Sequence, residues 1–266
     1  RVSAVFGNLG FPSAEMTRLA EASWHGDATQ PNPINRFMSG GTARLLEQAL
    51  GLAPGTMCLD TACASSLYAI KLAIDQLHDG VVDLALAGAV NGADDLFIHV
   101  GFTALNAMSQ SGQSRPFHAD ADGLVPAEGA GMVALKRLED ARRDGDHIYG
   151  IIRGLGLSND GRGRGFLAPS ASGQRRAIEA AYAGASLAPS AVSLLECHAT
   201  GTTIGDATEI ESTGAVYADC ADVPIGSLKS NMGHLITTAG GAGLIKVLEA
   251  IRHTERPPSL HTDMPN

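Results

Sequence analysis

Apolar residues along the chain gather in short continuous runs, separated by stretches with helical spacing. Such runs occur at 3–7, 56–60, 84–90, 131–138, 149–157, 192–197 and 223–228. Continuous apolar character over four to nine residues predicts strands buried on both faces. Between them, 65–79 puts Leu67, Ile70, Ile74 and Leu77 on one helical face, and 172–183, 207–217 and 241–252 are further helix candidates. The alternation predicts a layered α/β architecture in which helices cover a mostly parallel sheet. A unit of strand, turn with a polar or reactive residue, and helix occurs at 56–79 and again at 223–252. This suggests two related halves, although residue identities do not repeat.

Composition supports one large core or two fused ones, since the 266 residues are 44% hydrophobic and 18% charged. Thirty-two glycines with only 5% aromatics suit many tight strand-to-helix turns. The formal net charge of −9 argues against a groove that tracks nucleic-acid phosphates, which needs surplus Lys and Arg. No apolar run approaches the ~20 residues of a membrane span, and the opening "RVSAVFGNLG" has the pattern of a buried strand. A cytoplasmic setting is therefore expected. Cys58, Cys63, Cys197 and Cys220 lack C-x-x-C spacing and the density of a disulfide scaffold, so reduced thiols are expected.

Cys63 lies in "MCLDTACASSLYAIKLAIDQL", just after an apolar strand and just before a predicted helix. Unpaired N–H groups and the positive end of the helix dipole favour a thiolate there, which makes Cys63 the candidate nucleophile. The same argument does not extend to Cys58 and Cys220, for which burial as small hydrophobes is the expectation. A thiol nucleophile usually works with a histidine. His198 and His234 end strand-like segments inside Gly/Thr-rich turns, "LLECHATGTTIGD" and "SLKSNMGHLITTAGGAG". A zinc site formed by Cys63, His198 and His234 is the rival, although the spacing offers no short ligand pair. The run "TTAGGAGLIK" lacks the spacing of a phosphate loop, and close helix packing is the better account of it.

Taken together and in order, "DTACASSL" (60–67), "PAEGAGMVALKRL" (126–138), "LSNDGRGRGFLAPS" (157–170), "ECHATGTTIGDATEIES" (196–212) and "KSNMGHLITTAGGAGLIKV" (229–247) resemble β-ketoacyl synthase domains of polyketide and fatty acid synthases. The look is closest to iterative polyunsaturated-fatty-acid and enediyne types. The resemblance implies a thiolase-type fold, a five-layered αβαβα arrangement of two related halves, and a decarboxylative Claisen condensation that needs no metal, nucleotide or redox cofactor. It implies that Cys63 accepts the acyl chain and that His198 and His234 face the malonyl thioester. Lys229 supports the histidines, and Thr200 and Thr202 hydrogen-bond the phosphopantetheine arm. The expected partners are acyl carrier protein, other domains of a larger synthase, and a second copy paired through "TMCLD". A basic loop with Arg162 and Arg164 is a candidate carrier contact.

The chain departs from the family pattern at Ala199, where "HATGT" replaces the usual "HGTGT", and at Gly243, where some freestanding relatives carry Glu. By the same resemblance, the family's N-terminal portion and its C-terminal glycine-rich segment are expected to lie outside these 266 residues. A catalytically silent partner subunit of the chain-length-factor kind is the alternative function, and such partners usually lack the nucleophile that Cys63 supplies.

Overall fold

The structure is a computed structural model that describes residues 1–10, 22, 40–52, 55–92, 96–162, 168–220 and 222–265. The chain divides into two compact units, of which the first comprises Arg1–Asn91, Gly129–Asp146 and Ile236–Gly241. The second comprises Gly92–Glu128, His147–Leu235 and Ala242–Asn266.

The first unit is built on a four-stranded sheet of β1 (Val2–Gly7), β2 (Met57–Leu59), β3 (Leu84–Asn91) and β4 (Gly129–Leu135), in the order β2-β1-β3-β4. β1 runs parallel to β2 and β3, whereas β4 returns antiparallel to β3. The middle strands carry the continuous apolar runs, and Ala4, Val5, Ala85, Ala87 and Ala89 have no exposed surface. β4, at the sheet edge, alternates between half-buried and exposed positions, as a strand covered on one face does. It ends two residues before Arg137, whose guanidinium donates to the carbonyls of Leu77 and Val82 and to Asp83 and Asp140. That knot opens α4 (Leu138–Asp144), so the strand predicted over 131–138 starts and stops earlier.

Helix α2 (Ser65–His78) packs its Ala69, Ile70, Ala73 and Leu77 face into this unit. Helix α1 (Gly41–Leu50), not foreseen from spacing, is stopped by Gly51 at φ 62°, whose N–H returns to the Glu47 carbonyl. A left-handed glycine cap of this kind is a legible helix end. Helix α3 (Leu96–Ala104) was hidden because its sequence, "LFIHVGFTA", is apolar on all sides and has no helical period.

In the second unit, α5 (Ala171–Ala185) is capped by Ser170, whose hydroxyl accepts from the Gly173 N–H at 3.2 Å, and it packs beside α6 (Thr203–Tyr217). β5 (Leu195–Glu196) and β6 (Ile225–Gly226) form a parallel ladder of two residues each, shorter than the runs predicted at 192–197 and 223–228. Short α7 (Lys229–Met232) follows β6, and α8 (Ala239–His253) runs from the first unit into the second. Residues 149–157, predicted as a strand, join no ladder among the described residues. Instead they lie against α5, where Gly154 and Gly156 face the Ala181 and Ala177 carbonyls so closely that a Cβ would collide with them. No helix among the described residues is long and apolar enough to cross a membrane.

Gly88 sits in the β3–β4 ladder opposite Met132, and a Cβ there would strike the Gly131 carbonyl. Gly88→Val should therefore destabilise the chain by about 1–3 kcal/mol, the usual cost of overpacking. Gly101, in α3, has nothing within 4 Å of its Cβ position, and Gly101→Ala should be neutral or stabilising, by up to about 1 kcal/mol. Denaturant midpoints of the two variants check this, and a wild-type midpoint for Gly88→Val would refute the close-packing argument.

Candidate active site

In the first unit, β2 delivers the chain to a tight turn before α2. A 3₁₀ turn spans Ala62–Ala64 and holds Cys63, half-buried, immediately ahead of the helix that starts at Ser65. Ala62 takes φ 51°, an unfavourable left-handed conformation for a residue with a Cβ. Side chains on either side hold it there. Asp60 Oδ1 accepts from the Ala62 N–H at 2.9 Å, and Ser65 Oγ donates to the Ala62 carbonyl at 2.7 Å while accepting from the Thr61 N–H at 2.9 Å. Ser65 has no exposed surface, and Gly7 of β1 leaves room for it, since a Cβ there would meet Ser65 Cβ at 2.7 Å.

In the second unit the structure brings together His198, His234, Lys229, Thr200 and Thr202. β5 and β6 lie side by side, with the Cys197 N–H donating to the Gly226 carbonyl at 2.7 Å, so the turns that follow them are neighbours. The His198 and His234 rings meet edge to face, with centroids 5.3 Å apart and planes at 83°. His234 is 1% exposed, and its backbone is fixed on both sides, the N–H donating to Val125 and the carbonyl accepting from Ala127. Gly233, at φ 76°, permits the turn into His234, where a Cβ would lie 2.8 Å from the Val125 carbonyl.

Two carboxylates that motif reading passed over shape the His198 turn. Asp206 has no exposed surface and accepts three backbone N–H groups, from Phe117 at 2.8 Å, Thr200 at 3.0 Å and Gly201 at 3.2 Å. Glu209, one helical turn later, accepts the N–H groups of His198 and Ala199, each at 2.6 Å. Their i, i+3 spacing at the start of α6, directly after "HATGT", was the available signal. Thr200 and Thr202 share a hydroxyl–hydroxyl hydrogen bond of 3.0 Å. The Ser227 hydroxyl donates to the Ala199 carbonyl, pinning the first turn to the residue two before Lys229.

Electrostatics hold both imidazoles neutral. Desolvation, with the Lys229 cation second, lowers the His198 pKa below the ordinary histidine range, although part of its surface is open to solvent. His234 is lowered by desolvation first and then by His198 and Lys229. Lys229 itself is 5% exposed. A neutral imidazole carries one N–H donor and one acceptor nitrogen, so each ring can donate one hydrogen bond to a developing negative charge. Of the proposed carrier contacts, Arg162 is exposed and Arg164 lies outside the described residues.

The family model for the β-ketoacyl synthase N-terminal domain matches residues 5–141, and that for the C-terminal domain matches residues 149–263. The PKS-NRPS hybrid synthetase ATPKS of Aspergillus niger is 44% identical over 223 residues, covering 82% of this chain and 12% of that protein. Pikromycin polyketide synthase component PikAIII of Streptomyces venezuelae is 38% identical over 263 residues, 97% of this chain and 16% of that protein. Among solved structures, the PfaC keto synthase–chain length factor matches with a TM-score of 0.89 at 39% identity, covering all of this chain and 31% of that one. The oxazolomycin ketosynthase domain OzmH KS7 of Streptomyces albus matches with a TM-score of 0.88 at 33% identity, covering all of this chain and 47% of that one. The fold is thus the thiolase-like fold of ketosynthase domains. This chain spans less than half the length of each of these proteins.

The four cysteines should separate on labelling. Burial raises the Cys197 thiol strongly, with Glu209 and Glu196 adding to it, and desolvation also raises Cys58. With iodoacetamide near neutral pH, peptide mass spectrometry should find Cys63 modified first and Cys197 last. Modification of Cys197 as fast as Cys63 would contradict the site as described.

Proposed function

The chain belongs to the β-ketoacyl synthase family, and on that premise we propose that it performs a decarboxylative Claisen condensation in polyketide or fatty acid chain elongation. The observation that carries this reading is the pair of neutral imidazoles, 5.3 Å apart, beside Lys229. Such a pair suits a reaction in which charge builds on a thioester oxygen.

Cys63 is assigned as nucleophile. Its thiolate attacks the carbonyl of an acyl thioester on an acyl carrier protein; an S–C bond forms, and the carrier's phosphopantetheine thiolate leaves. Malonyl carrier then binds, with Thr200 and Thr202 assigned to its phosphopantetheine arm. Loss of CO₂ breaks the C–C bond to the carboxylate and leaves its electron pair as an enolate, whose oxygen accepts N–H donors from His198 and His234. The enolate carbon attacks the acyl-Cys63 carbonyl, forming the new C–C bond and releasing the thiolate. Lys229 is assigned to electrostatic support of the two histidines. No cofactor enters these steps, because phosphopantetheine arrives on the carrier.

Other domains of a larger synthase are the expected neighbours, in a cytoplasmic setting that keeps the thiols reduced. Homodimerisation through β2 is supported by its place at the edge of the sheet, where Met57 is 40% exposed. A silent chain-length-factor-like partner is less well supported, since Cys63, His198, Lys229 and His234 are all present.

The two half-reactions separate the roles. In a synthase carrying this chain, Cys63→Ala should abolish acyl loading and condensation yet leave decarboxylation of malonyl carrier measurable. His198→Ala or His234→Ala should lower CO₂ release by ~10²–10³, the usual effect of losing one preorganised donor. Release of labelled CO₂, run beside transfer of a labelled acyl group, tests this. Wild-type CO₂ release from both histidine variants, with none from Cys63→Ala, would reverse the assignments, and loss of activity on chelation would favour zinc.

The pH profile has a defined sign. The step as assigned uses neutral imidazoles, and both pKa values lie below the ordinary histidine value of 6.5. CO₂ release should therefore hold its neutral-pH rate through pH 6.5 and fall only at more acidic values. Lys229→Met removes one cause of the lowering, so the acidic limb should move toward higher pH. An unmoved limb in that variant would refute the electrostatic role of Lys229.

A further inference from the structure

The β5–β6 ladder is only two residues long, yet it aligns the turns that carry His198 and Lys229. Backbone pairing of that length is weak support for two turns that must keep a fixed separation. A second connection lies alongside it. Glu196, two residues before His198, extends its carboxylate to the start of α7, beyond the end of β6: Oε1 accepts from the Leu228 N–H at 2.6 Å, and Leu228 directly precedes Lys229. The other oxygen, Oε2, accepts from Lys246 Nζ of α8 at 2.7 Å. This ion pair is largely out of water, with Lys246 9% and Glu196 14% exposed at the side chain. Gly243, one turn earlier on α8, makes room for it, because a Cβ there would lie 3.0 Å from Glu196 Cγ.

We propose that Glu196 and Lys246 are positioning residues for the condensation, setting the separation of the His198 and Lys229 turns and so the decarboxylation step. The inference rests on the proposed function above. Neither residue is assigned a contact with substrate. Lys246 holds the carboxylate in one rotamer, and the carboxylate fixes the backbone immediately ahead of Lys229. Removing either group releases the turns from each other by a fraction of an ångström to an ångström, a scale of misplacement that costs up to about 100-fold in rate.

The test uses a full synthase carrying this chain and the variants Glu196→Gln, Lys246→Met and Lys246→Arg. Three quantities are measured: CO₂ release from malonyl carrier, with kcat and KM separated; acyl loading of Cys63 by intact-protein mass; and the unfolding midpoint. Glu196→Gln and Lys246→Met should lower kcat for CO₂ release about 10- to 100-fold. KM and acyl loading should stay within about threefold of wild type, and Lys246→Arg, which keeps the ion pair, should restore most of the rate. If Lys246→Met does not fold, the near-isosteric Glu196→Gln carries the test. Wild-type CO₂ release in Glu196→Gln would overturn the proposal. So would an equal fall in loading and CO₂ release that merely followed the unfolding midpoint. A wild-type synthase that released no CO₂ from malonyl carrier would instead overturn the condensation reading itself, whatever the variants did.

Discussion

Asp206 has no exposed surface, and a carboxylate taken out of water is costly unless hydrogen bonds replace its hydration. Here the replacement comes from three backbone N–H groups, two of them, Thr200 and Gly201, in the turn just after His198. The third, from Phe117, ties that turn to a separate segment of the second unit. Glu209 repeats the device one helical turn on, taking the N–H groups of His198 and Ala199. Four consecutive residues, 198–201, thus donate their backbone N–H groups to two side chains instead of to a helix or a sheet. The turn keeps its shape only while both carboxylates stay in place, and its imidazole points where that shape sends it.

The same carboxylates bear on the charge balance of the site. Burial raises the pKa of Asp206 and Glu209, while their N–H donors and Lys229 act in the opposite sense. Lys229 also pushes both histidines toward the neutral form. One buried cation therefore acts on both sets of groups in the same sense, favouring anionic carboxylates that hold the turn and uncharged imidazoles beside it. A positive imidazole pair next to Lys229 would place three like charges close together, two of them, on His234 and Lys229, out of water, which the arrangement disfavours.

The residues with a distinctive local context were legible in the sequence. Cys63 stands between an apolar strand and an amphipathic helix, and His198 follows β5, as their local context indicated; His234 instead comes after the short α7 and Gly233, not at the end of a strand. Asp206, Glu209, Glu196 and Lys246 were not singled out, because an acidic or basic residue in a helix or at a strand end usually faces solvent. Their burial comes from tertiary neighbours such as Phe117 and Leu228, which no local pattern reports. Residues 149–157 erred in the other direction. Their apolar run suggested a strand, but their glycines serve close packing on α5, an outcome periodicity cannot separate from sheet pairing.

Two long helices that start in the first unit begin in the same way, which is one physical basis for the echo between 56–79 and 223–252. Before α2 a 3₁₀ turn starts at Ala62 with φ 51°, and before α8 another starts at Ile236 with φ 46°. Neither residue is glycine, although glycine would adopt this conformation without strain. A left-handed residue with a Cβ costs about 1–2 kcal/mol, so each turn persists only because its surroundings hold it. Asp60 and Ser65 do so at the first, and at the second Thr237 and Thr238 donate their hydroxyls to the Val90 and Gly129 carbonyls. What a glycine would lose is definition, since it could leave the left-handed region as readily as occupy it. At Ala62 that definition matters for function: the residue after it is Cys63, and a fixed φ ahead of the nucleophile sets the direction in which its sulfur leaves the backbone.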